Sequence, residues 1–219
     1  MIAEQAVTLA TGDGAALEAR LALPPDPAAG VVICHPHPLY GGDMDNPVVV
    51  RVAEVCGALG YATLRFNFRG VGASTGVHDG GRAEQRDVEA ALDHLAGLPA
   101  PGRPVALVGY SFGAAVASQV AAGAVRLASL ALIGPPLART GPEPFLGLRG
   151  FTGRLLLIAG SEDEFCPRDA LTALGSELDA AVTVIDGANH FFFGTLYPLG
   201  EAVGAWARQL EPRKAGGRG

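Results

Sequence analysis

Residues 5–10 and 16–22 alternate apolar and polar positions around Gly12-Asp13-Gly14, and they read as a β-hairpin. After Pro24-Pro25 the pattern changes. Residues 30–34 form a continuous apolar run, as expected of a strand buried on both faces, and 61–66, 105–108, 127–133, 155–159 and 181–185 read as further strands. Between them lie stretches of helical character. Residues 47–59 follow Asn46, placed to cap, and carry Pro47 in the first turn. Residues 82–96 put Val88, Ala91, Leu92 and Leu95 on one face, and 112–123, 168–176 and 196–210 complete the set. Strands alternating with helices predict right-handed crossovers and an α/β fold. The expectation is a mostly parallel central sheet with helices on both faces and an antiparallel N-terminal edge from the hairpin. No repeat or linker divides residues 1–211, so a single domain is expected. The basic, glycine-rich stretch 212–219 has nothing to bury and is expected to be a disordered tail.

Composition narrows the function classes. The chain has 219 residues, 49% of them hydrophobic, yet no apolar run reaches the roughly 18–20 residues a membrane span needs. An acidic residue comes early at the N-terminus and no basic cluster precedes an apolar stretch, which is unlike a secretory signal. A net charge of −6 argues against a nucleic-acid surface. The three cysteines, Cys34, Cys56 and Cys166, form no CxxC pair and suggest free thiols in a reducing compartment. A cytoplasmic protein acting on a small molecule, without nucleic-acid or membrane partners, is the expectation; the oligomeric state is left open.

The candidate chemistry begins with a pattern that occurs twice. Gly109-Tyr110-Ser111-Phe112-Gly113 and Gly72-Ala73-Ser74-Thr75-Gly76 both read Gly-x-Ser-x-Gly. Ser111 ends an apolar strand and opens an alanine-rich helix, the setting in which a tight turn exposes a nucleophilic hydroxyl at a helix N-terminus. Ser74 lies eight residues past Phe66 in a glycine-rich loop with no helix until about residue 82, and reads as a turn or capping serine. Ser111 is therefore the expected nucleophile.

A nucleophile needs a base and the base an orienting group. Of the five histidines, His94 falls in an amphipathic helix, and His78 in a loop with no obvious helper. His190 follows the last strand on a short loop, where the order Ser, acid, His puts the base. The acid is expected after the preceding strand, in Gly160-Ser161-Glu162-Asp163-Glu164, with Asp163 preferred over its two glutamate neighbours. Two N–H donors must face the developing oxyanion. Phe112 supplies one. The other is expected from His37, Leu39 or Tyr40, since Pro36 and Pro38 have no N–H, and His37 is favoured. Leu39, Tyr40, Phe112, Phe145, Phe165 and the run Phe191-Phe192-Phe193 are candidates to line an apolar acyl pocket. A metal held by His35 and His37 with Asp43 or Asp45 is the rival reading of that segment. It is disfavoured because the carboxylates fit a solvated turn, so no metal is expected.

With these residues in this order, the chain resembles an α/β-hydrolase over almost its whole length. It is most similar to the small, lidless bacterial hydrolases related to dienelactone hydrolase and to the serine aminopeptidase-like group. The specific marks are His35-Pro36-His37-Pro38-Leu39-Tyr40-Gly41-Gly42 through Asn46, and Phe66-Asn67-Phe68-Arg69-Gly70-Val71-Gly72-Ala73-Ser74. The resemblance implies a triad of Ser111, Asp163 and His190 and cofactor-free hydrolysis of esters or related acyl compounds. It also makes Ser74 part of a structural loop. Dienelactone hydrolase has cysteine at the elbow where this chain has Ser111, so lactone specificity does not carry over. Many relatives insert a helical cap where this chain has only residues 134–153, which leave room for a short helix near 144–148 and no large cap. A carboxylesterase for small or short-chain acyl esters is the expected function. A peptidase or thioesterase with the same triad, and a non-catalytic binding protein of the same fold, are the alternatives.

Overall fold

The computed structural model describes residues 3–98, 103–123 and 127–210. The hairpin forms β1 (Gln5–Ala10) and β2 (Ala16–Ala22), and the apolar runs become β3 (Gly30–Cys34), β4 (Ala62–Phe66), β5 (Val105–Tyr110), β6 (Ser129–Ile133), β7 (Arg154–Gly160) and β8 (Ala181–Ile185). They make one sheet in the order β1-β2-β4-β3-β5-β6-β7-β8. β3 to β8 are parallel, and β2 runs antiparallel to both β1 and β4. The helices are α1 (Pro47–Ala58), α2 (Glu84–Ala96), α3 (Phe112–Ala121), α4 (Leu137–Thr140), α5 (Arg168–Glu177) and α6 (Leu196–Ala207). Asn46 caps α1 through its side chain, which accepts from the Val48 N–H. The last helix stops at Ala207, short of the expected 210, and the expected tail at 212–219 lies outside the described residues.

Alternation within the parallel strands divides the interior into two layers. Val31, Ile33, Val108, Ile133 and Ile158 face α1 and α6, with Val49, Val52, Leu199, Val203 and Trp206 against them. Val32, Leu64, Phe66, Leu107, Leu132 and Leu157 face the other way, onto Val88 and Leu92 of α2, Val116 of α3 and Leu171 of α5. Each layer buries apolar surface worth about 25 cal/mol per Å² removed from water. No described helix is long and apolar enough to cross a membrane.

The strand order reverses direction between β3 and β5, since the connection through α1 leads to one side of β3 and the later crossovers build outward on the other. Loops leaving the carboxyl ends of strands at such a point diverge and leave a crevice. Cys34 of β3 pairs with Gly109 of β5 in register, which sets the loop after β3 beside the turn that carries Ser111.

The segment after β6 departs from expectation. α4 is an extra single turn, and residues 143–150 form 3₁₀ rather than α-helical turns. These 3₁₀ turns pack on α3, where the Ser118 hydroxyl donates to the Pro144 carbonyl at 3.1 Å. Phe145 is fully buried in the layer against α3, so it belongs to the core and presents no surface to a substrate. Among the described residues no large cap covers the sheet.

Candidate active site

Ser111 sits between β5 and α3 with φ 54° and ψ −114°, a conformation that L-residues rarely adopt and that costs on the order of 1–3 kcal/mol. Its flanking glycines hold that turn. A Cβ on Gly109 would stand 2.3 Å from the Gly113 carbonyl oxygen, and one on Gly113 would stand 2.6 Å from the carbonyl oxygens of Cys34 and His35. The Ser111 N–H donates to the Ile133 carbonyl at 2.8 Å, so neighbouring β6 anchors the turn.

The Ser111 Oγ lies 3.0 Å from His190 Nε2, and His190 Nδ1 lies 2.9 Å from both carboxylate oxygens of Asp163. Asp163 Oδ1 also accepts the Phe165 and Cys166 N–H groups at 2.9 Å, and its side chain is wholly buried. Two N–H donors and the imidazole thus hold the carboxylate in one orientation. The His190 loop is pinned in turn: the Tyr110 hydroxyl donates to the His190 carbonyl at 2.8 Å, and Asn189 Oδ1 accepts the Phe191 N–H at 3.1 Å. Burial raises the Tyr110 pKa, keeping it protonated as a donor. Gly134 closes the floor, because a Cβ there would come within 3.1 Å of the His190 ring and 3.4 Å of Asp163.

The loop after β3 forms the opposite wall. His37 Nδ1 accepts the Leu39 N–H at 3.2 Å and caps the 3₁₀ turn Pro38–Tyr40. The His37 ring lies 4.8 Å from the Phe112 ring. Among the described residues, the Phe112 and His37 N–H groups have no acceptor within the protein, unlike the Leu39 and Tyr40 N–H groups, which cap this turn. His35 is fully buried. Its Nε2 accepts the Phe68 N–H at 2.9 Å and its Nδ1 lies 2.6 Å from the Pro36 carbonyl, tying the loops after β3 and β4 together. Burial holds it neutral, with the pKa lowered to about 4. Both ring nitrogens are engaged and Asp45 pairs with Arg65, so the disfavoured metal cluster is not assembled. Among the described residues no three His, Cys, Asp or Glu side chains come together to hold a metal.

Ser74 is buried away from this crevice. Its hydroxyl donates to the Asn67 carbonyl at 2.7 Å and accepts the Glu18 N–H at 2.9 Å, stitching its loop to the hairpin. Arg69 of the same motif donates to Asp87 of α2 and to Asp13 of the hairpin turn, so this string serves the fold.

The remaining candidates separate. The Phe165 ring lies tilted against His190 at 4.7 Å between centroids, and Phe191 lies edge-on to it at 5.6 Å. Phe191, Phe193, Leu39 and Tyr40 are exposed, while Phe192 is a buried anchor. Sequence reasoning passed over two features here. His78 does have a helper: its Nδ1 lies 2.7 Å from Glu84 Oε1, without hydrogen-bond alignment, and its ring is 5.1 Å from that of His37. Arg139 of α4 sets its guanidinium over the Phe165 ring at 5.1 Å. The spacing of His78 and Glu84 across a helix start was a usable signal. Arg139 had none.

A family model described as "Alpha/beta hydrolase domain" matches residues 28–196. An α/β serine hydrolase homologue from Coxiella burnetii is similar at 33% identity and a TM-score of 0.81, covering 94% of this chain and 98% of that one. A serine hydrolase without lid from Xanthomonas campestris is similar at 31% identity and a TM-score of 0.84, covering 95% of each chain. An uncharacterized protein of Rickettsia prowazekii is 33% identical over 184 residues, 80% of this chain and 77% of the relative.

Proposed function

This chain belongs to the alpha/beta hydrolase domain family, and from that premise we propose that it is a serine hydrolase, a carboxylesterase for small acyl esters, with Ser111, His190 and Asp163 as its triad. The observation that carries the reading is the unbroken path from the Ser111 Oγ, 3.0 Å from His190 Nε2, through Nδ1 to Asp163 at 2.9 Å. His190 Nε2 takes the hydroxyl proton as Ser111 Oγ attacks the acyl carbonyl, and Asp163 fixes the Nδ1–H tautomer and stabilises the imidazolium. The Phe112 and His37 N–H groups receive the oxyanion, each such donor being worth about 10²–10³ in turnover. Collapse of the tetrahedral intermediate returns the proton from His190 to the departing alcohol. A water molecule then gives a proton to His190 as it attacks the acyl-enzyme, and collapse of this second intermediate releases the acid while His190 returns that proton to Ser111 Oγ. The uncapped crevice, rimmed by exposed Leu39, Tyr40 and Phe191, suits small acyl groups reached from solvent.

Short p-nitrophenyl esters test this directly. Ser111→Ala is expected to abolish turnover. Ser74→Ala, which loses two hydrogen bonds worth about 0.5–1.5 kcal/mol each, is expected to be less stable but to keep most of its turnover. The opposite outcome would move the nucleophile.

A further inference from the structure

Arg139 lies at the mouth of this crevice with a charge that the protein leaves unmatched. Its guanidinium is over the Phe165 ring at 5.1 Å, and that ring is 4.7 Å from the His190 ring. α4 is fixed to the same wall, because the Ala138 N–H donates to the Phe165 carbonyl at 2.9 Å and the Phe165 N–H to Asp163. Toward the opposite wall, burial lowers the His37 pKa first and the charges of His78 and Arg139 lower it further, against the pull of Glu84. Arg139 is therefore felt on both sides of the crevice.

Arg82 pairs with Asp79, Arg103 with Asp26 and Arg149 with Glu177, whereas Arg20, Arg154, Arg168 and Arg208 share with Arg139 the lack of an ion pair among the described residues. What sets Arg139 apart is its place over Phe165 beside His190. Among the described residues Arg139 has no carboxylate within ion-pair distance, neither Glu143 on the following turn nor Glu164 beside Phe165. The nearby Glu84 carboxylate is buried, accepting the Asp79 and Gly81 N–H groups beside His78. A guanidinium stacked on an aromatic face keeps its planar fork of N–H donors free, the geometry that takes a carboxylate through two parallel hydrogen bonds.

We propose that Arg139 is a specificity-determining residue that binds a carboxylate carried by the ester substrate, so that the enzyme prefers monoanionic to neutral esters. This rests on the hydrolase reading above. It adds no step to the reaction: the anion fixes the ester in the crevice while Ser111 attacks.

The experiment compares kcat/KM for matched pairs. In one arm the charge is on the acyl side, mono-p-nitrophenyl glutarate against p-nitrophenyl pentanoate. In the other it is on the alcohol side, the butyrate of 4-hydroxybenzoate against that of its methyl ester. The wild-type protein is expected to favour the charged member in one arm. Arg139→Gln should cut that preference about tenfold, as an exposed charge-assisted contact allows. Arg139→Lys should recover part of it, and added salt should shrink it. The arm that responds says which side of the ester bears the charge. An unchanged ratio in both arms on Arg139→Gln overturns the proposal. Should no ester turn over, the hydrolase reading fails by itself, and binding of monomethyl against dimethyl glutarate to Ser111→Ala, measured by calorimetry, still decides. Tighter binding of the monoanion that is lost with Arg139→Gln upholds the proposal, and equal binding overturns it.

Discussion

Ser111 and His35 show how single residues carry the site in different ways. Ser111 stores backbone strain, held by its glycine neighbours, and its hydroxyl meets His190. His35 touches no reacting atom; it is a positioning residue that couples the β3 loop to Phe68 only while its imidazole is neutral. Its folded pKa is depressed to about 4 from an ordinary 6.5. Its contribution is therefore fully present above about pH 6.5, declines as pH falls through that window and is gone below about 4, a loss of about 3 kcal/mol. Urea denaturation across pH 4 to 7.5 checks this: His35→Gln should flatten the slope relative to the wild-type protein, and an identical slope would refute it. Ser111, Asp163 and His190 were legible because each follows its own strand in a fixed order. The roles of His35 and the Tyr110 hydroxyl were not, since their partners, Phe68 and the His190 carbonyl, come from segments that only folding brings together.

At the scale of elements, the strands were readable almost to the residue, the inner ones because burial on both faces demands continuous apolar runs and the hairpin because one-sided burial demands alternation. Helix ends were less so. α2 starts at Glu84 rather than 82 because the Glu84 carboxylate ties back to the Asp79 and Gly81 N–H groups, a contact that periodicity does not register. The short turns after β6 escaped for the same reason: with Gly134, Pro135 and Pro136 leading in, packing on α3 and on the Asp163 loop determines their shape. The packing of the elbow helix can be tested against an ordinary helix. Gly113→Ala forces a Cβ against two backbone oxygens of the β3 loop at 2.6 Å and should cost about 3 kcal/mol along with activity. Gly57→Ala in α1 meets nothing within 4 Å and should stabilise by about 0.5–1 kcal/mol. Shifts in the denaturation midpoint in opposite directions are the expected result.

Across the whole molecule, the reversal of strand order between β3 and β5 does the organising. It sets the loops after β3, β5, β7 and β8 at one end of the sheet, and those loops carry His37, Ser111, Asp163 and His190. The hairpin closes the far edge through Asp13, Arg69 and Ser74 and explains why a second Gly-x-Ser-x-Gly exists without a second site. The alternation of elements made this architecture legible, whereas the unpaired Arg139 depends on tertiary placement alone. The central claim, that Ser111 is a nucleophile activated by His190, is tested most directly by intact-mass analysis after reaction with a fluorophosphonate. The account predicts one adduct per chain, mapped to Ser111, absent in Ser111→Ala and slowed by about 10² or more in His190→Gln. An adduct on Ser74 or another residue, or no adduct on the folded wild-type protein, would contradict it.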